Sequence, residues 1–201
     1  MARSLAFWYE FASTYSYPAA ARIEPAAAAA GVAIEWRPFL LGPIFAQQGW
    51  TDSPFNLYPA KGTYMWRDLE RICAREGLPL RRPSVFPRNS LLAARVALVA
   101  ADESWCGDFT RAVYRANFVA DRDIADPDVI RGVIDELGRS GAATLERAAA
   151  PAIKQRLRAQ TEEAMAQGVF GAPSFSVGAE LFWGNDRLEQ ALEWAKEGRA
   201  A

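Results

Sequence analysis

The 201-residue chain contains no histidine. That absence removes the imidazole of a Ser-His or Cys-His nucleophile pair, and it removes histidine-based metal sites. Cysteine is nearly absent as well. Cys73 and Cys106 stand far apart and neither belongs to a C-x-x-C. Two lone cysteines in a chain of this size fit a reducing compartment better than a disulfide scaffold, and they exclude a local dithiol redox centre. Lysine is limited to Lys61, Lys154 and Lys196, so arginine carries almost all the positive charge. The formal net charge of -1 gives no whole-surface attraction for nucleic acid. No segment approaches the roughly 20 apolar residues of a membrane helix. The opening "MARSLAFWYEF" has neither a long apolar stretch nor a small-residue cleavage site. A soluble, cytoplasmic protein is expected.

What is present is ample material for a core: 51% of the residues are hydrophobic and 12% aromatic. The length suits one domain, or one domain carrying a large insertion. Leu5 to Phe11 is rich in aromatics and reads as a buried strand. Pro18 suits a helix start, the alanines to Ala30 sustain the helix with a bend expected at Pro25, and Gly31 ends it. Val32 to Phe39 alternates and reads as a second strand. Strand, helix and strand at this spacing form a βαβ unit with parallel strands. Leu40 to about Pro59 reads as irregular surface chain, long enough to suspect function. About 60 to 168 reads as all helix, with a stop at Gly77 and an N-cap at Asn89 or Ser90. "FGAPSFSVGAELFWG" predicts two short strands around Gly178, and "NDRLEQALEWAKEG" a final helix. The order β-α-β, helical block, β-β-α is a thioredoxin-like topology with an all-helical insertion between the second and third strands. Residues 1–40 and 169–201 are expected to form the discontinuous thioredoxin-like domain, and 41–168 the inserted helical domain.

In such a topology chemistry belongs in the loop between the first strand and first helix, here "FASTYSY". Ser13 and Ser16 stand where the sulfurs of a C-x-x-C would stand. A serine after a strand is commonly a turn or cap residue, and no general base nearby would make Ser13 a nucleophile. A hydroxyl can still donate to an anion, and the following helix N-terminus favours negative charge. A thiolate brought by a small molecule would restore the missing sulfur. Pro173, in "GAPSF", stands where this topology places a cis proline beside the active loop; the plain alternative is a trans edge-strand proline. Asp186 and Glu189, in "NDRLEQ", have the spacing of a capping box, yet an aspartate there also suits an ammonium group.

"FWYEFASTYSY", "FGAPSF" and "FWGNDRL" together resemble the 2-hydroxychromene-2-carboxylate isomerase family, which groups with kappa-class glutathione transferases and DsbA-like thioredoxin folds. The resemblance extends through "SPFNLYPAKGTYMWRDLER" and "VFPRNSLLAARVAL" and so covers nearly the whole chain. It implies bound glutathione, with Ser13 facing its sulfur as the catalytic serine. Ala172 before Pro173 would hold the cysteinyl backbone, Asn185 and Asp186 the γ-glutamyl end, and Asn56 is a candidate contact. The helical insertion would close over an aromatic substrate, and relatives suggest a homodimer. One departure is Thr14, where many relatives have proline. Lys61 and Arg88 are open to either a substrate carboxylate or a structural role. Trp50, Phe55, Tyr64 and Trp66 are open to either an apolar site or the core.

The expected activity is a glutathione-dependent isomerisation with ring opening through a transient adduct, without net redox change. Two rivals stand beside it: a transferase that leaves glutathione on an electrophile, and a non-catalytic thiol-binding or chaperone-like module.

Overall fold

The computed structural model describes residues 3–198. The chain opens with β1 (Ser4–Tyr9), α1 (Ser16–Ala30) and β2 (Ala33–Pro38). Eight helices follow: α2 (Leu41–Gln47), α3 (Pro54–Leu57), α4 (Pro59–Glu76), α5 (Leu91–Ala101), α6 (Cys106–Phe118), α7 (Pro127–Glu136), α8 (Gly141–Ala149) and α9 (Pro151–Ala166). Then come β3 (Ser174–Val177), β4 (Glu180–Trp183), a 3-10 turn (Asn185–Arg187) and α10 (Leu188–Lys196). The sheet order is β2-β1-β3-β4. β1 and β2 are parallel, as the βαβ spacing predicts, while β3 runs antiparallel to both β1 and β4. The thioredoxin-like fold with a helical insertion between the second and third strands is thus observed.

β1 is a central strand and buries both faces. Leu5, Phe7 and Tyr9 join the larger core with α1, α6 and α10. Trp8 points the other way, into a smaller cluster with Phe39, Ile44, Ala164 and Val169. This is the period of two expected of a strand, with apolar residues on both sides because helices cover both. Each fully buried aromatic or leucine contributes about 1.5–3 kcal/mol of transfer free energy. Phe7 stands opposite Phe175 of β3, and the two rings stack at 5.4 Å. That pair aligns the end of β1 with the start of β3, the two strand ends that flank the site.

Several local expectations are met. Gly31 closes α1 in the left-handed conformation, φ 67°, where a Cβ would be unfavourable. Pro25 lies inside α1. Others change. The stretch from Leu40 to Pro59 is not irregular: α2 and α3 form within it. Pro54 sits in the first turn of α3, where its missing N–H costs nothing, and the Ser53 hydroxyl accepts from the Phe55 N–H. Glycine and proline texture concealed helices too short to show a period. The expected capping box is also absent. Asp186 lies inside the 3-10 turn rather than at a cap, and Glu189 pairs across to Arg22 of α1. Ser90 is the N-cap of α5 by position, but its hydroxyl goes to the Glu10 carboxylate; the neighbouring Asn89 side chain takes the Leu91 N–H at 2.9 Å instead. No helix among the described residues is long and apolar enough to cross a membrane.

Candidate active site

The turn after β1 is drawn tight by a hydrogen bond from the Ser13 N–H to the Glu10 carbonyl, 3.0 Å. This places Ser13 at the N-terminal end of α1. Its oxygen accepts from the Ser16 N–H at 3.3 Å, which is the capping role that a serine here commonly plays. Its hydroxyl hydrogen goes elsewhere, to the carbonyl of Ala172 at 2.8 Å. The Ala172–Pro173 bond is cis. Two segments far apart in the sequence therefore meet through one hydrogen bond, Ser13 to Ala172.

They meet on the wall of a cleft of about 1300 Å³. The sheet side contributes Glu10, Ser13, Ala172 and Pro173, the last turn contributes Asn185 and Asp186, and the insertion contributes α2, the α2–α3 loop and the start of α5. Of the six residues matched to catalysis and glutathione contacts, five line this cleft: Ser13, Ala172, Pro173, Asn185 and Asp186. Asn56 is not brought to it. Its amide donates to Asp52 at 3.0 Å and to the Phe86 carbonyl at 3.3 Å, bracing the α3 turn on the outer surface.

The two residues of the last turn differ in character. Asn185 is buried, and both its carbonyls accept from Arg22. Asp186 has a side chain 73% exposed, weakly paired with Arg187 at 3.6 Å. It faces the Tyr15 end of the cleft. Tyr15 donates to Asp68 at 3.0 Å. Burial pushes the Tyr15 phenol above its ordinary value, the Asp68 hydrogen bond adds to this, and Asp186 adds repulsion. Two carboxylates thus lie at one end of the cleft.

Arg88 has a structural role. It is buried, and its guanidinium donates to the Asn117 carbonyl and amide oxygen, to Ser84 and to Asp121. Hydrogen bonds from Ser84 and Arg88 hold the Asp121 carboxyl down to about 2. Lys61 is exposed on the cleft rim with its ammonium 4.6 Å from the Tyr58 ring centre. The aromatics divide: Trp50 and Phe55 line the cleft, Trp66 is buried against Phe86, and Tyr64 is exposed away from the cleft.

Sequence reasoning passed over Phe170 and Trp183. Their rings meet at 4.8 Å and remain 45% and 53% exposed at the cleft. Gly171 permits this, because a Cβ there would stand 2.5 Å from the Trp183 indole nitrogen. The signal was in the quoted motifs "FGAPSF" and "FWGNDRL", each of which carries one of the two rings. Glu10 was also passed over. It is 6% exposed, and burial raises its carboxyl to about 7 against the hydrogen bonds of Ser90, Ala12 and Ser13 that favour its charge. The cysteines take no part: burial pushes both thiols up to about 11, and neither lines the cleft.

A DSBA-like thioredoxin domain matches residues 4–194. The chain belongs to that family. Within the family it is similar to a 2-hydroxychromene-2-carboxylate isomerase of Sphingobium xenophagum, 31% identical over 190 residues that cover 94% of this chain and 96% of the relative. It is 27% identical to human glutathione S-transferase kappa 1 over 170 residues, 78% of this chain and 74% of that one. A solved 2-hydroxychromene-2-carboxylate isomerase superposes with a TM-score of 0.86 at 26% identity, covering 98% of this chain and 95% of the other. The family resemblance seen in "FWYEFASTYSY", "FGAPSF" and "FWGNDRL" is therefore shown.

Proposed function

We propose that this DsbA-like protein is a glutathione-dependent isomerase acting on planar aromatic acids of the 2-hydroxychromene-2-carboxylate type. The observation that carries the reading is the Ser13–Ala172 hydrogen bond on the cleft wall. The hydroxyl and the carbonyl are partners for each other, and both suit a cysteinyl group. A ligand with a thiolate and a neighbouring amide N–H replaces this one bond by two: Ser13 turns its hydrogen to the sulfur, and the Ala172 carbonyl accepts from the amide. Such a ligand also meets the positive end of α1, which favours its charge. Asp186 and Asp68 suit the ammonium of a γ-glutamyl end. Bound glutathione would supply a sulfur nucleophile that adds to a conjugated acid and leaves after rotation. The chain's part is to hold that sulfur ionised, to present the acid's ring to Phe170, Trp183, Trp50 and Phe55, and to keep water from the reacting face.

Similarity to both isomerases and a kappa transferase supports an enzyme and keeps transfer as the second reading. Product analysis decides between them. Incubation with glutathione and 2-hydroxychromene-2-carboxylate should yield the open-chain isomer with glutathione regenerated. Accumulation of a stable conjugate would favour transfer, and glutathione binding without turnover a binding module.

The role given to Asp186 has its own check. Because its carboxylate makes no cap, Asp186→Asn should leave the melting temperature unchanged. It should raise the glutathione dissociation constant about 1.4- to fivefold, the effect of an exposed ion pair of about 0.2–1 kcal/mol. Unchanged affinity in a calorimetric titration would remove Asp186 from the site.

A further inference from the structure

Glu10 is the buried acid of the cleft, and among the described residues its charge is met by hydrogen bonds alone. One carboxylate oxygen accepts from the Ala12 N–H at 2.8 Å and the other from the Ser90 hydroxyl. Among the described residues no arginine or lysine makes an ion pair with it. The groups around it are few. Tyr114 of α6 donates its phenol to the Glu10 backbone carbonyl at 2.9 Å. At the start of α5 the Ser90 hydroxyl meets the Glu10 carboxylate, and Arg95 lies further along that helix. Arg88, just before α5, is committed to Asn117 and Asp121. Asn117 of α6 turns its amide to the Phe11 carbonyl at 3.1 Å. From the loop itself comes Ser13, whose N–H closes the turn on Glu10. A glutamine amide could accept from Ala12 with its oxygen and donate to the Ser90 hydroxyl, which would then act as acceptor, so the loop can be tied without a charge. A carboxylate in that position does one thing an amide does not: it takes a proton.

We propose that the Glu10 carboxylate accepts the proton given up when a ligand thiol ionises beside Ser13. This rests on the glutathione reading above and adds to it the fate of the proton in a chain without histidine. The S–H bond breaks, its electron pair stays on sulfur, and the proton forms an O–H bond on Glu10. No electrons are exchanged. The pair of Glu10 and sulfur then holds one negative charge before and after, moved from the carboxylate to the sulfur. Two anions on one poorly solvated cleft wall would repel each other, so each disfavours the other's ionisation. Both residues open on the same cleft, which gives the proton its route.

The test is the number of protons released to buffer per glutathione bound, from calorimetry at pH 7.5 in buffers of different ionisation enthalpy. Ultraviolet thiolate absorbance is followed in parallel. A free thiol near 8.5 is about 0.9 protonated at this pH. With its carboxyl at about 7, free Glu10 is mostly ionised and takes most of that proton up. The wild-type protein should therefore release only about 0.2 proton, and Glu10→Gln, which has no acceptor, about 0.9. Ser90→Ala removes the hydroxyl that favours the Glu10 charge, so Glu10 starts more protonated and release should rise toward the Glu10→Gln value. Equal release from wild type and Glu10→Gln, with thiolate seen in both, overturns the role of Glu10 and leaves the glutathione reading standing. Glutathione that fails to bind the wild type, or binds it without thiolate absorbance, overturns both. Should Glu10→Gln not fold, an unchanged release in Ser90→Ala is the overturning result.

Discussion

Glutathione bound to a Ser13→Ala protein should ionise about one to two pH units higher than when bound to the wild type. A hydrogen bond to a charged group contributes about 1.5–3 kcal/mol, and one pH unit corresponds to about 1.36 kcal/mol. Turnover at pH 7 should fall by about ten- to a hundredfold and recover in part at higher pH, where the thiolate forms without help. The fold should survive. Loss of the Ser13 hydroxyl removes the cap-like Ser16 N–H contact, about 1 kcal/mol, and the hydrogen bond to the Ala172 carbonyl, about 1 kcal/mol more. The recovery at high pH separates this role from a structural one, since a misplaced loop would lower activity at every pH. A thiolate titration that is unaltered, with activity intact, would sink the role of Ser13. Ser13→Cys sharpens the point. It should form a mixed disulfide with glutathione, and Ser16 offers no second thiol to resolve it.

The elements that bring Ser13 and Ala172 together were legible because each rests on a local rule. A continuous aromatic-rich run marks β1, an alanine run ended by Gly31 marks α1, and the Gly178 turn marks the β3–β4 hairpin. The βαβ spacing then fixes β1 and β2 as parallel neighbours, and the topology follows. What was not legible depends on contacts between segments. Asp186 and Glu189 have capping-box spacing, but Arg22 from α1 draws Glu189 away, and nothing in the local sequence encodes that pull. Asn56 lies in a family-like stretch, yet its amide is taken by Asp52 and Phe86. Arg88 stays open between a substrate contact and a structural role until Asn117 and Asp121, from α6 and the loop after it, are seen to enclose it. Glu10 reads as one polar residue in an apolar run. Its burial, and its bond to Ser90 from within the insertion, appear only when the chain is folded.

That burial has a measurable consequence for stability. The Glu10 carboxyl ionises near 4.5 in an unfolded chain and at about 7 in the fold, because burial disfavours its charge. Between those values the folded protein holds a proton that the unfolded chain has lost. Stability contributed by Glu10 is therefore full below pH 4.5 and is lost as pH rises through 7. The difference between the two carboxyl values corresponds to about 3 kcal/mol. Glutamine is neutral throughout, so Glu10→Gln should gain about that much on wild type between pH 4.5 and pH 8, whatever their offset at low pH. For a chain of this length the gain is about 6–12 °C in melting temperature. Urea unfolding of both proteins across this pH range measures it, and every other titrating group cancels in the comparison. An offset that stays constant with pH would mean that Glu10 ionises in the fold as it does in water. If the gain is seen, the wild-type chain keeps at neutral pH an acid that weakens its own fold. Ligand binding relieves that cost if the thiol proton moves onto Glu10, so the same burial that destabilises the free protein would favour the thiolate-bound one.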